Sequence, residues 1–428
     1  MASTIAAKLS KRCGDNLRIA LIGTRGIPAN YGGFETCAEE VSVGLAARGH
    51  EVIVYCRRRN APGDPTEYRG VKLQYVPHIE HKALGTMSHT VAATIDASRR
   101  HFDVLLYFNA ANALPALLAR VFARQPIVIN VDGLEWRRRK WGWVGRTYYQ
   151  FAEWLSTKVA DRIVSDAKAI QDYYEEHWST PSSFVAYGAH VEGPEHPEVL
   201  RQYGLEPESY FFTASRLEPE NNADITVRAF EQVQTDKKLV IAGGANYKSN
   251  FVRCLQETKD ARVVFLGPVY RPGHIRELHC GAFAYVHGNE VGGTNPALLK
   301  ALGYGNCVLT LNVAFNAEVV ADAALLYDKS PEDLAAKMTA VLRDPALVAR
   351  LRRRAQERIK EAYQWEYVVE GYERILRRGV AGEFRNAPPS DIAYPLPGVP
   401  NRAWGAGSQP VARAGAFKTT RSHGCPDR

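Results

Sequence analysis

Short apolar runs, each stopped by glycine or a polar residue, alternate with stretches of helical spacing along most of the chain. The first run, LRIALIG at Leu17–Gly23, has the composition of a strand buried on both faces. After the loop TRGIPANYGG, the segment FETCAEEVSVGLAARG places Val41 and Leu45 on one helical face and ends at Gly49. EVIVYC at Glu51–Cys56 then completes a βαβ opening. Further strands are predicted at Val71–Pro77, Asp103–Phe108, Ile127–Asp132, Arg162–Asp166 and Ser183–Gly188. The intervening helices fall at Ser88–Arg100, Ala111–Phe122, Val144–Lys158 and Ala167–His177. A second series has strands at Tyr210–Leu217, Lys238–Gly244, Arg262–Gly267, Ala282–Gly288 and Cys307–Leu311, with helices between them and a mainly helical stretch after Asp333.

Strict alternation of this kind predicts parallel, doubly wound sheets: an α/β chain of two Rossmann-like domains in tandem. The expected division is a flexible N-terminus (1–16), a first domain (17–190), a Pro- and Glu-rich linker (191–207) and a second domain (208–363). A helix over 364–378 is expected to cross back to the first domain, ahead of a disordered basic tail (379–428) rich in Pro, Gly, Ala and Ser. In such sheets ligands bind beyond the carboxyl ends of the strands, so two facing domains put the site in a central cleft. The length of 428 residues agrees, at ~100–200 residues per domain.

Composition changes this picture little. The 54 Lys and Arg against 46 Asp and Glu give a net charge of +8, which favours anionic partners without choosing among nucleotides, phospholipid surfaces and nucleic acid. A nucleic-acid partner is not expected, because the basic run is local and no nucleic-acid module accompanies it. The seven cysteines (Cys13, Cys37, Cys56, Cys254, Cys280, Cys307 and Cys425) are scattered and never spaced C-x-x-C, so they read as reduced residues of a cytoplasmic protein. No apolar stretch approaches the ~18 residues of a spanning helix, and the first residues lack a signal-peptide core.

Three loops carry candidate chemistry. The first strand leads through Gly23–Pro28 to Gly32-Gly33 at a helix start; this is not G-x-G-x-x-G, yet paired glycines there let backbone N–H groups approach a phosphate. A tight βα turn accounts for the same residues. In the second half, Arg216 ends a strand where a guanidinium can grip a pyrophosphate. The stretch His287–Pro296 (HGNEVGGTNP) then places Gly292, Gly293 and Thr294 before a helix with Asn295 as its cap, a second anion cradle. Trp136–Trp143 (WRRRKWGW) mixes cations with tryptophans. It suits a lipid-phosphate surface or, equally, a solvated turn with its indoles folded inward. His78, His81 and His89 lack the spacing of a metal site, and none is expected.

Four stretches, GTRGIPANYGGFET, NVDGLEWRRRKW, RLEPENN and HGNEVGGTNPALLKAL, give the chain a resemblance to retaining glycosyltransferase family four, over about Leu17–Arg378. It more closely resembles a bacterial subgroup that includes β-rhamnosyltransferases of capsule and cell-wall synthesis. The resemblance implies a GT-B fold, a UDP- or dTDP-linked nucleotide-sugar donor, a lipid-linked saccharide acceptor, and no metal or other cofactor. It is consistent that the chain has no D-x-D pair. It implies that Gly32, Gly33 and Arg216 contact the donor diphosphate, and it places Asp132 where many relatives have a histidine touching the transferred sugar. Glu135 follows on the same loop, with Trp136, Arg137 and Arg138 on the acceptor side. Two departures stand out. Asn221 replaces a lysine, and Lys300 replaces a glutamate that binds the donor ribose. A charged lysine donates hydrogen bonds but accepts none. Glu290, ten positions earlier, is the candidate substitute carboxylate. The expectation is a hexosyltransferase (rhamnose or glucose), cytoplasmic, peripheral on the inner face of the membrane. The alternatives are an epimerase or phosphorylase on the same plan, and a non-catalytic nucleotide-sugar-binding relative or scaffold.

Overall fold

The computed structural model describes residues 16–385 apart from 30–31, 59, 61–62, 81–83, 123–124, 139–140 and 245–249. In the first domain, β1 (Arg18–Ile22), α1 (Gly33–Ala47), β2 (Glu51–Cys56), β3 (Glu67–Tyr68), β4 (Val71–Tyr75) and α2 (Leu84–Ser98) lead to β5 (Val104–Phe108). Then come α3 (Ala113–Phe122), β6 (Ile127–Asn130), α4 (Trp143–Val159), β7 (Arg162–Ser165), α5 (Lys168–Trp178) and β8 (Ser183–Phe184). Their sheet runs β3-β4-β2-β1-β5-β6-β7-β8 and is parallel except for the short β3–β4 pair.

The second domain begins at β9 (Tyr210–Ala214), followed by α6 (Ala223–Glu231), β10 (Lys238–Ala242), α7 (Asn250–Gln256), β11 (Val263–Gly267), α8 (His274–Cys280) and β12 (Ala284–His287). It closes with α9 (Pro296–Gly303), β13 (Val308–Leu311), α10 (Ala314–Val320), β14 (Ala324–Tyr327), α11 (Pro331–Arg343), α12 (Pro345–Ala362) and α13 (Trp365–Val380). The all-parallel sheet runs β11-β10-β9-β12-β13-β14, a doubly wound order whose direction reverses between β9 and β12. The first sheet reverses between β1 and β5 in the same way.

The central strands read as unbroken apolar runs because both faces are covered. β1, β5 and β6 carry no exposed residue. Where the chain departs from expectation, the cause is local. The run expected as a strand over Ser183–Gly188 pairs only at Ser183–Phe184, since beyond it the backbone turns to the second domain and Ala189 N donates to Tyr363 O at 2.8 Å. Two short strands, β3 and β14, were not expected from periodicity. The segment expected as linker contains a 3-10 helix, Pro197–Tyr203, that buries Val199 and Leu200.

Helix α13 packs back on the first domain. Val369 fills the space where a Cβ on Gly44 of α1 would lie, and the Tyr372 hydroxyl accepts from Asn130 Nδ2 at 2.5 Å. Arg48 bonds both Glu373 (2.7 Å) and Glu366 (2.8 Å). Its buried face of Trp365, Val368, Val369, Tyr372, Ile375 and Leu376 is worth on the order of 10 kcal/mol of apolar burial. No helix among the described residues is long and apolar enough to cross a membrane.

Candidate active site

On the second-domain side, the loops after β9 and β12 meet at the switch point. Asn222, in a left-handed conformation (φ 53°), donates from Nδ2 to Gly288 O at 2.8 Å, and Glu290 N donates to Glu220 O at 3.0 Å. These bonds fix the loop that carries Arg216, as does the one from Asn221 Nδ2 to Arg216 O at 2.7 Å. The Arg216 side chain itself is exposed and makes no hydrogen bond or ion pair with a described residue, leaving a guanidinium available to an anionic ligand. Glu290 is held by Lys329 in an ion pair and by Asn222 Nδ2 at 3.4 Å. Lys300 stands on the exposed side of α9, opposite buried Leu298, Leu299 and Leu302, and the structure does not bring it into contact with Glu290. Asn295 caps α9, its side chain accepting from Ala297 N at 3.0 Å.

On the first-domain side, Gly32 is extended (φ −150°) and α1 starts at Gly33 with no side-chain cap. Gly32 as the N-cap offers no side-chain oxygen to the first-turn N–H groups, the kind of helix start that can receive an anion. In the same turn sits Glu35, 1% exposed, with neither carboxyl oxygen hydrogen-bonded to another residue. Burial pushes its pKa up to about 7 and nearby Asp132 adds to the rise, against the pull of Arg25 and Arg57. Asp132 lies just past β6 in a left-handed conformation (φ 55°), its N–H donating to Asn130 Oδ1 at 2.9 Å and its Oδ1 accepting from Tyr187 OH at 3.0 Å. Loss of solvent and the neighbouring Glu135 raise its pKa, while Arg138 and Tyr187 oppose them. Such strained, charge-crowded carboxyls beside a cleft are candidates for function.

The residues expected on the acceptor side divide. Glu135 and Arg138 pair at 2.5 Å, and Trp141 Nε1 donates to Glu135 at 3.4 Å. Trp136 turns inward against the core, with exposed Arg137 over its ring at 5.3 Å. Trp141 packs on Tyr149 at 5.1 Å. Of the three tryptophans in the 136–143 stretch only Trp143 stands out in solvent, at 81% exposure. Arg139 and Lys140 lie outside the described residues.

The two glycine turns face each other and touch. A Cβ on Gly33 would come to 2.5 Å from Pro296 Cγ, and one on Gly133 to 2.8 Å from Gly292 C. A Cβ on Gly293 would collide with the Asp166 carboxylate. Thr294 N donates to Asp166 Oδ2 at 3.0 Å and its hydroxyl donates to Asp166 O. Thr294 is thus engaged across the domain boundary. Asp166 is fully buried, and burial followed by Asp132 raises its pKa well above the usual carboxylate range.

Glu35 and Asp166 were not singled out by sequence reasoning. A signal was present for both. Glu35 stands three positions after Gly32, where a first-turn carboxylate belongs. Asp166 ends the strand RIVSD as Asp132 ends IVINVD. Among the described residues no group of three or more His, Cys, Asp or Glu could hold a metal ion.

Residues 17–190 match a family described as a domain of unknown function (DUF1972), and residues 197–358 match Glycosyl transferases group 1. The chain is 22% identical to the glycogen synthase of Mycobacterium tuberculosis, over 87% of this chain and 97% of that one. Among solved structures, a sucrose-phosphate synthase from Thermosynechococcus elongatus superposes with a TM-score of 0.72 at 16% identity, covering 85% of this chain and 99% of that one. Anabaena HepE in complex with UDP and glucose superposes with a TM-score of 0.69 at 17% identity, covering 84% and 99%. Residues 197–358 are therefore similar to the glycosyl transferases group 1 family, and the two domains together have the GT-B fold of these structures.

Proposed function

We propose that this protein transfers a hexose, rhamnose or glucose, from a UDP- or dTDP-linked donor to a lipid-linked saccharide in surface-polysaccharide assembly, at the cytoplasmic face of the membrane. The observation that carries the reading is the close approach of Gly33, at the start of α1, to Pro296, which sets the glycine turn of the first domain against the switch-point loops, tied to the one carrying the exposed, unpaired Arg216, with Glu35 in the same turn of α1. A diphosphate between the two domains meets positive potential from both sides. HepE, with UDP and glucose bound, supports a nucleotide-sugar donor.

Retention is the expected stereochemical course. The acceptor oxygen bonds to the anomeric carbon on the face from which the diphosphate departs, the bond to the diphosphate oxygen breaks, and the acceptor proton passes to that leaving oxygen. Arg216 and the α1 N–H groups stabilise the charge that develops. No divalent ion is required in this scheme, so EDTA leaves the transfer rate unchanged; a rate restored only by added metal contradicts it. Arg216→Ala is expected to lower kcat about 10²–10³-fold, the usual cost of removing one such donor. A variant with unaltered donor kinetics rules Arg216 out.

The second reading is a non-catalytic nucleotide-sugar-binding protein, and Lys300 favours it. Lys300→Glu distinguishes them: a silent protein that gains turnover indicates a degenerate site, and an active one that loses turnover makes Lys300 a working residue.

A further inference from the structure

Two neighbouring helices of the first domain turn apolar side chains to solvent. On α3, Leu117, Val121 and Phe122 are exposed, the last two at 68% and 72%, and they follow the helical spacing that on the opposite side buries Pro115, Ala116 and Ala119. On α4, which packs beside α3 in the same layer, Trp143, Phe151 and Trp154 form a matching outward stripe, while Ala152, Glu153, Leu155 and Ser156 face inward. An amphipathic helix in a water-facing layer buries its apolar face; here large apolar side chains also stand on the face left uncovered.

The charges on these helices have one sign. Arg146 and Lys158 are exposed on α4 and form no ion pair with a described residue; Arg120 on α3 reaches Asp161. The one carboxylate on either helix, Glu153, is buried. The carboxylates on neighbouring elements are engaged: Asp161, just past α4, pairs with Arg120, and Asp96 on α2 pairs with Arg100. Aromatic and aliphatic side chains accompanied by unpaired cations fit an interface that is apolar within and anionic at its edge. Both helices also start at the cleft end of the sheet: α3 follows β5, and α4 follows the turn holding Glu135 and Arg138. Tyr148 OH on α4 donates to Ala111 O at 2.7 Å, tying the two starts together.

We infer that the outward face of α3 and α4 docks on an anionic lipid bilayer, with its cleft end at the membrane surface. This moves the lipid-facing element away from the 136–143 turn, where two of three indoles are folded inward. The inference rests on the proposed location at a membrane face and names the surface that meets it; it is read without donor or acceptor.

The test is flotation of the full-length protein with extruded vesicles of phosphatidylcholine alone or mixed with phosphatidylglycerol, at low and high salt. The protein is expected to float with the mixed vesicles, less so at high salt. The double variant Val121→Glu/Trp154→Glu is expected to bind at least about tenfold more weakly, with its melting temperature and UDP binding unchanged. Arg146→Glu/Lys158→Glu is expected to abolish the salt dependence. Wild-type protein that stays out of the vesicle fraction overturns the inference, as does a double variant that floats equally. So does sedimentation showing that the wild type self-associates and that the double variant only breaks that association, leaving lipid binding intact. A failure here leaves sugar transfer to be judged by its own assay.

Discussion

Glu35 is a carboxyl in an environment at odds with its charge: buried, next to a cleft and hydrogen-bonded to no other residue. With its folded pKa pushed up to about 7, the native protein holds a proton there that the unfolded chain has already released above pH 4.5. Native protein thus binds more protons between those values, and stability falls as pH rises from about 4.5 to 7. Glu35→Gln removes that penalty, so chemical denaturation should show the variant gaining roughly 3 kcal/mol over wild type at pH 8 relative to pH 4. Identical pH profiles would mean that Glu35 ionises as freely in the fold as in water. Asp166 follows a related logic at a different place. Burial and Asp132 push its pKa up, so Asp166→Asn, which keeps the acceptor for Thr294, should cost little. Asp166→Ala leaves Thr294 N–H without its partner and should cost about 1–3 kcal/mol. Thermal melts of the pair decide it; equal losses for the two variants would show that the contact is not what matters.

At the scale of elements, α13 joins the two halves of the chain. Burial opposes the charge on Glu373, but Arg48, Arg377 and His50 outweigh it and hold its pKa down near 2. A depressed carboxylate contributes stability that is complete above its unfolded value of about 4.5 and is lost as pH falls toward 2. Glu373→Gln should therefore destabilise the protein by about 2–3 kcal/mol at pH 7 and by much less at pH 3; a loss independent of pH would point to packing instead. The elements also show what the sequence makes legible. Buried parallel strands such as Leu17–Gly23 and Glu51–Cys56 are readable because covering both faces demands unbroken apolar runs. β3 and β14, two and four residues long, are too short to impose a period. The turn at 136–143 stayed open between two readings for a physical reason: a tryptophan can pack inward or stand in solvent, and composition does not record which. The apolar stripes on α3 and α4 were present in the sequence, but without the sheet there was no telling which face the rest of the domain covers.

Across the whole molecule, the two domains meet at glycines. Gly33, Gly133 and Gly293 each sit where a side chain would strike the opposite domain. Gly33 and Gly293, like Gly292 and the stretch ending at Pro296, could be found in the sequence, but Gly133, Asp166 and the meeting of these turns could not, since each contacting pair spans more than a hundred residues. Gly293→Ala sets a methyl group against the Asp166 carboxylate and should cost about 1–3 kcal/mol while widening the cleft, visible as a larger radius of gyration in small-angle scattering. An unchanged radius and melting temperature would show that the domains do not close through this contact. The central claim is that a nucleotide sugar lies between Arg216 and the α1 N-terminus and gives up its sugar there. The most direct measurement is transfer of labelled sugar from separate UDP-, dTDP- and GDP-sugars to a bacterial lipid extract, for wild type and Arg216→Ala side by side. Label should pass to lipid from a UDP- or dTDP-linked donor with the wild type and be largely lost with the variant. Absence of transfer from every donor, with nucleotide binding intact, would contradict the account.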